Sequence, residues 1–467
     1  MNLTRMVTRS LPAVLVAALL VVLLPPATPA HAGPNGYVTM SDGIKIAVNI
    51  RKPDNYIEGK SYPTVFEMSG YDGGSADGDD PSGGRGSRYL TEPYQKDYFT
   101  IHASVRGTGC SGGEFDLFSW RSALDGYEVI EWINDQPWSN GEIAIYGHSY
   151  GGITGTMIAA TRPPSLDAVT VSGLIDDLYR GIVYPGGVSN YGFPLLWTGA
   201  IRPVYDIGGG TFDGLVENQN VQCGENLSTR GRTILNDPIV QGLQDTDNEW
   251  FRSRSLITYI ERINVPIHMT GAFNDEQTGP RGPYNLFDHL PDVPRRLVQT
   301  NGDHGTQTDA YNQRDRKAWV DHWLGVDTQP QRFGSWPHGP SHSSVLTRFE
   351  NPAGDKNDDR GYNLETRTWP LEGTKWTDVY LDGDGSIVNK PPKHQTATYV
   401  SGSGRQAWSY QGGHTAGSPL TTADGPDELS FASAKFDRPT AIAGPIMATL
   451  YASISAPDTE FFVQLID

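Results

Sequence analysis

Apolar and polar positions change their period several times along the chain. Tyr37–Met40 and Ile44–Ile50 are short β-rich runs around Ser41-Asp42-Gly43, the pattern of a hairpin. Thr64–Met68 and Tyr98–Val105 read as buried strands, and the Gly-, Asp- and Ser-rich stretch 70–87 between them reads as a loop. From Ser122 to Asp135 the period becomes helical, with Tyr127, Ile130 and Ile133 on one face. A short strand, Ile143–Tyr146, is followed by a turn and by a helix from Tyr150 to Ala160. Ala168–Ser172, Pro266–Thr270 and Arg296–Thr300 are further strand-like runs, and Ala310–Leu324 fits a helix. Strands alternating with helices predict a mostly parallel α/β sheet.

The alternation breaks twice. Residues 176–262, rich in Gly, Asn and aromatic residues with helical pieces, read as a cap inserted into the sheet-forming core. The core then comprises 33–175 and 263–325. From 326 to 467, Pro, Gly, Asp and Thr punctuate short runs such as Thr377–Leu381, Ala397–Tyr399 and Ile446–Ala452, the texture of an all-β domain. Asp382-Gly383-Asp384-Gly385 is a hairpin turn by composition.

The N-terminus changes the compartment. Arg5 and Arg9 precede an apolar run, Leu11–Leu24, and small residues and prolines lead to Ala30-His31-Ala32. This is the pattern of a secretory signal peptide over residues 1–32, cut after Ala32. The apolar run is shorter than the ~20 residues that a bilayer span needs. An exported chain with two cysteines, Cys110 and Cys223, is expected to join them in a disulfide. The chain carries 54 acidic against 36 basic residues, a net charge of −18. Such a surface repels nucleic-acid phosphates and anionic lipid, so neither partner is expected once the leader is removed. Nothing in the sequence speaks to oligomeric state.

Chemistry enters at Gly147-His148-Ser149-Tyr150-Gly151, a G-x-S-x-G match with a strand before it and a helix after it. A sharp strand-to-helix turn exposes a serine hydroxyl at the sheet's C-terminal edge, and the amide of Tyr150 faces the developing oxyanion. Serine needs a histidine to take its proton and an acid to orient that histidine, in the chain order Ser, acid, His. The strand Pro266–Thr270 leads to Gly271-Ala272-Phe273-Asn274-Asp275-Glu276, and Arg296–Thr300 leads to Asn301-Gly302-Asp303-His304. Asp275 and His304 are therefore the expected acid and base. Glu276 remains as the neighbouring acid, and His148 and His268 as the other histidines near the strands.

Several stretches then match in order: Val105-Arg106-Gly107-Thr108-Gly109-Cys110-Ser111-Gly112-Gly113, Gln136-Pro137-Trp138-Ser139-Asn140-Gly141, the elbow with Tyr150, and Asp177-Leu178-Tyr179-Arg180. Together they resemble the cocaine-esterase and X-prolyl dipeptidyl-peptidase family of serine hydrolases over most of the mature chain. The resemblance implies an α/β-hydrolase core, a helical cap and a C-terminal jelly roll. It also implies a second oxyanion donor, a tyrosine hydroxyl at the position of Tyr71. With a phenol pKa of ~10 that hydroxyl stays protonated and can donate. Related amino-ester hydrolases hold a substrate ammonium with acids near Asp176 and Asp177; a structural role is expected for these two here. The chain departs from the pattern in the acid loop, Gly-Ala-Phe-Asn-Asp where several members have Gly-Trp-x-Asp. It also stops at Asp467 just after an apolar run that includes Phe461 and Leu465, where members continue, so the jelly roll is expected to be incomplete with an open edge.

The reading is a secreted serine hydrolase that cleaves an ester or an amide, X-Pro dipeptides included, through an acyl-enzyme on Ser149, with no metal or organic cofactor. Its substrate is a small ester or amide or a peptide, and the cap decides which. The Asp-rich loop 72–80 lacks the ligand spacing of a calcium loop. The rival is a non-catalytic secreted binding protein that uses its β domain. A relic core loses triad positions, and all three are filled here.

Overall fold

The computed structural model describes residues 36–71, 73–75, 93–190, 193–201, 221–230, 238–326, 343–349, 363–393, 397 and most of 429–465. The leader and most of the Asp-rich loop lie outside the described residues. Among the described residues no helix is long and apolar enough to cross a membrane.

Among the described residues ten strands form one sheet: β1 (Gly36–Thr39), β2 (Lys45–Arg51), β3 (Tyr62–Ser69), β4 (Phe99–Ser104), β5 (Ser139–His148), β6 (Ala168–Ser172), β7 (Ile267–Ala272), β8 (Arg295–Thr300), β9 (Ser343–Arg348) and β10 (Asn363–Thr366). Their spatial order is β1-β2-β4-β3-β5-β6-β7-β8-β9-β10. β1 and β2 form the expected hairpin and β2 runs antiparallel to β4. From β4 to β9 every neighbouring pair is parallel. Central strands such as β3 and β6 are buried along their whole length, because helices cover both faces of the parallel region.

Three of the longer helices follow from their sequence. α1 (Trp120–Asn134) starts at Ser119, whose side chain accepts from the Ser122 amide. It buries Ala123, Val129, Ile130 and Ile133. α2 (Tyr150–Thr161) is buried on all sides up to Ala160, which its composition of apolar, glycine and threonine residues without a charge allows. α3 (Val221–Ser228) belongs to the cap, α4 (Arg281–Asp288) follows β7, and α5 (Ala310–Trp323) is capped by Asp309.

The described part of the cap contains short helical pieces. Its two ends are pinned together where the Leu178 amide donates to Ser255 Oγ (2.8 Å) and the Ile257 amide to the Asp176 carbonyl (2.9 Å). The expected disulfide is present: Cys110 of the loop after β4 is bonded to Cys223 of α3, across 113 positions of chain. Asn226 Nδ2 adds a 2.8 Å bond to the Cys110 carbonyl beside it.

Two expectations require correction. The core does not end at 325: β9 continues the sheet parallel to β8, and β10 closes it antiparallel. Hydrophobic period could not show this, since only Val345 and Leu346 are apolar in β9. A polar network holds the strands instead. Arg296, 1% exposed, donates to both Asp315 oxygens (2.8 and 2.9 Å), to Ser344 Oγ (2.7 Å) and to Glu365 (3.1 Å). The second concerns Ile446–Ala452, which forms no ladder among the described residues, and Met447 and Tyr451 are 88% and 99% exposed. A β-rich run becomes a strand only when a neighbour takes its backbone hydrogen bonds. The Asp382–Ser386 turn does form, between β11 (Tyr380–Leu381) and β12 (Ile387–Val388). Of Ala397–Tyr399, only Ala397 is described.

Candidate active site

β5 delivers the elbow at the sheet's centre. Ser149 sits at φ 56°, ψ −122°, a left-handed conformation that costs a non-glycine residue on the order of 1–3 kcal/mol. The surroundings hold it there. Its amide donates to the Ser172 carbonyl on β6 (2.9 Å), and its carbonyl accepts from Ile153 in α2 (2.9 Å). A Cβ on Gly147 would overlap the Gly151 carbonyl, so strand and helix can approach only because this position is bare. Tyr150 is the first residue of α2, and its amide belongs to the helix's opening turn, where N–H groups lack intrahelical partners.

β7 and β8 bring the other two residues to the same edge. The Asn274 amide donates to the Gly302 carbonyl (3.0 Å) and thereby clips the two loops together. His304 Nδ1 lies 3.0 Å from both oxygens of Asp275. Asp275 also accepts from the amides of Gln277 (2.9 Å) and Thr278 (2.8 Å), from Thr278 Oγ1 (2.6 Å) and from Gln307 Nε2 (2.5 Å). Burial alone would raise its pKa. The bonds from His304 and Thr278 outweigh burial and hold it down to about 2. An ionised carboxylate only accepts, so Nδ1 carries a proton, and in the neutral imidazole Nε2 is then the nitrogen with the lone pair. Glu276 points elsewhere and accepts from the His304 amide (3.0 Å).

Gly173 separates the histidine from the serine. At φ 64° it lies under both: a Cβ there would come within 2.9 Å of His304 Cε1 and of the Ser149 nitrogen. Its own amide donates to Gln307 Oε1 (2.8 Å). The residue escaped the sequence reading because nothing distinguishes it from any glycine that follows a strand.

Tyr71 leaves β3, the strand beside β5, and its ring meets that of Tyr150 edge-on at 5.7 Å. Trp197 of the cap donates its indole N–H to the Tyr71 hydroxyl (2.9 Å). Phe118, also at positive φ, packs 4.8 Å from Tyr150.

Beneath the elbow, fully buried Arg316 of α5 donates to the carbonyls of Gly147 (2.7 Å) and Thr170 (3.1 Å), and to the hydroxyls of Thr170 (3.1 Å) and Ser172 (3.2 Å). Ser172 Oγ is in turn hydrogen-bonded to His148 Nδ1 (2.9 Å). The His148 ring stands 4.4 Å from that of His304, and burial, then His304 and Arg316, push its pKa well below the ordinary histidine value. Asp176 and Asp177 each pair with an arginine, Arg281 (2.8 Å) and Arg180 (2.9 Å). Another histidine considered above, His268, is bound to Asp315 in the core (2.8 Å). Among the described residues no three His, Cys, Asp or Glu side chains are grouped as a metal would need.

Comparison with known proteins agrees with this architecture. Residues 42–306 match the X-Pro dipeptidyl-peptidase (S15 family) and residues 346–467 match the X-Pro dipeptidyl-peptidase C-terminal non-catalytic domain. Cocaine esterase of Rhodococcus sp. is 24% identical, over 93% of this chain and 79% of its own. The Xaa-Pro dipeptidyl-peptidase of Streptococcus sanguinis is 22% identical, over 44% of this chain and 28% of its own. A CocE/NonD family hydrolase from Staphylococcus aureus superposes with a TM-score of 0.56 at 20% identity, which covers 78% of this chain and 60% of that one. The chain thus spans under two thirds of that structure's length, and the likeness there is one of fold. An α/β-hydrolase core matched over more than half the chain, followed by a matched C-terminal domain, leaves one conclusion: the chain belongs to the X-Pro dipeptidyl-peptidase (S15) family of hydrolases.

Proposed function

We propose that this protein is a secreted esterase that works through an acyl-enzyme on Ser149. His304 Nε2 takes the hydroxyl proton as Ser149 attacks the carbonyl carbon, and Asp275 holds the imidazolium that results. The oxyanion is met by the Tyr150 amide and the Tyr71 hydroxyl. His304 then returns the proton to the leaving alcohol, and water attacks the acyl-serine by the same route. The observation that carries this reading is the 3.0 Å contact of His304 Nδ1 with both Asp275 oxygens, at the edge where Ser149 is held left-handed.

Ester cleavage is favoured over release of X-Pro dipeptides on two grounds. A relative that matches along nearly the whole chain is an esterase. A dipeptidyl-peptidase must also hold a substrate ammonium; Asp177 is paired with Arg180, and Asp176, paired through Oδ2 with Arg281, is only 1% exposed. Export is supported by the Cys110–Cys223 bond, which suits an oxidising compartment. The test is fluorophosphonate labelling followed by p-nitrophenyl esters against Ala-Pro and Gly-Pro anilides. Labelling should vanish in Ser149→Ala with the thermal midpoint nearly unchanged. Labelling that persists at another serine removes the assignment, and faster turnover of the anilides reverses the choice of substrate. Secreted material should begin at Gly33.

A further inference from the structure

We infer that Trp197 is a positioning residue for the oxyanion hole: its indole N–H fixes the Tyr71 hydroxyl so that the phenol proton is aimed at the tetrahedral oxygen. The inference rests on the reading of Tyr71 as an oxyanion donor. A phenol has one proton, which lies near the ring plane on either side of the C–O bond, and lone pairs that accept. The Trp197 Nε1–H to Tyr71 Oη contact is 2.9 Å and can run in one direction only, because an indole N–H has no acceptor capacity. That bond occupies one side of the hydroxyl and leaves its proton the other. Accepting a hydrogen bond also polarises the O–H and strengthens it as a donor.

The placement of Trp197 fits this role. Trp197 is 9% exposed; its ring stacks on Tyr150 at 5.8 Å, 25° from parallel, and meets Tyr71 edge-on at 6.3 Å. Tyr150 supplies the other oxyanion donor from its amide. One cap side chain therefore braces the residues that carry both donors. Since Trp197 belongs to the cap and Tyr71 to the core, the hole is complete only while the cap is seated. The element that selects the substrate is thereby tied to the rate of the chemical step.

A double-mutant cycle tests this. Tyr71→Phe should cost roughly 10²–10³ in kcat. Trp197→Phe should cost about three- to tenfold in kcat, the range of one neutral hydrogen bond, with KM changed less than about twofold. In the Tyr71→Phe background the same Trp197→Phe change should cost almost nothing, because the hydroxyl it orients is gone. A benzothienylalanine placed at 197 by codon suppression keeps the ring's shape without its N–H. It should reproduce the kcat loss, and it replaces the phenylalanine variant if that fails to fold. An equal kcat loss at position 197 in both backgrounds, or full activity with the isostere, overturns the role of Trp197 alone. Normal kcat in Tyr71→Phe overturns the reading of Tyr71 and this inference together.

Discussion

Asp275→Asn separates the chemistry of the acid from its packing. The backbone amides of Gln277 and Thr278 both donate to Oδ1, so an asparagine will keep its oxygen there and place its NH2 at the Oδ2 position. That NH2 then faces two N–H donors, Gln307 Nε2 and His304 Nδ1–H, besides the Thr278 hydroxyl, which can rotate to accept. Gln307 cannot flip its amide to relieve the first, because its Oε1 is held by the Gly173 amide. The imidazole can relieve the second by moving its proton to Nε2, where it no longer accepts from serine. Loss of the correct tautomer is worth about 10⁴ in kcat, roughly 5 kcal/mol of transition-state stabilisation.

The stability effect has its own magnitude and sign. A carboxyl held at about 2 in the folded chain and 3.8 unfolded favours folding by roughly 2.5 kcal/mol at neutral pH. That contribution is fully present above pH ~4 and is lost as pH falls through 2, so the variant's deficit should shrink at acid pH. Turnover of p-nitrophenyl acetate measures the first effect, and thermal midpoints from pH 3 to pH 8 measure the second. Glu276→Gln is the control, since a glutamine oxygen can still accept from the His304 amide. A kcat loss below tenfold in Asp275→Asn, or a larger one in Glu276→Gln, would refute the assignment.

Three further outcomes are expected. Gly173→Ala combines a left-handed φ with a methyl pressed against His304 Cε1; kcat should fall by more than ~10-fold and stability by about 1–3 kcal/mol, and unchanged steady-state kinetics would show that the imidazole does not stand where it is described. Replacing Cys110 and Cys223 by serine opens a 113-residue loop and should cost ~2–5 kcal/mol; dithiothreitol should lower the midpoint of the parent and not that of the double variant. Burial, with help from Glu142, raises Asp167 to about 6, so its ionisation opposes folding progressively as pH rises from ~4 through 6. Asp167→Asn keeps an acceptor for the Ile143 amide (2.8 Å), so its midpoint relative to the parent should rise across that window; a flat difference would mean the carboxyl titrates normally.

What could be read before the structure, and what could not, divides along physical lines. β3, β6 and α2 announce themselves as dense apolar runs, and the elbow adds glycines where backbones must nearly touch. Asp275 and His304 follow from their place after consecutive strands. β9 escaped because its pairing is fixed by Arg296, Ser344 and Glu365, and such a network has no period along the chain. α4 escaped because Arg281-Gly282-Pro283 opens it, residues that read as a loop. Gly173, Trp197 and Arg316 are remote in sequence from the serine they serve, and no local signal marks them.

The histidine between Gly147 and Ser149 has a consequence for what the elbow tolerates. In the proposed mechanism His304 becomes a cation in the transition state, with the His148 ring 4.4 Å away and the Arg316 guanidinium bonded to the carbonyl of the neighbouring Gly147. Because His148 is kept neutral, the new charge forms beside one fixed cation and not two. Position 148 is therefore an insulator: among side chains that fit the space, its tolerance should be ordered by charge. A glutamine there, which can still bond Ser172 Oγ, leaves the imidazolium undisturbed, whereas a lysine opposes it at every turnover, in a site too dry for water to screen the repulsion.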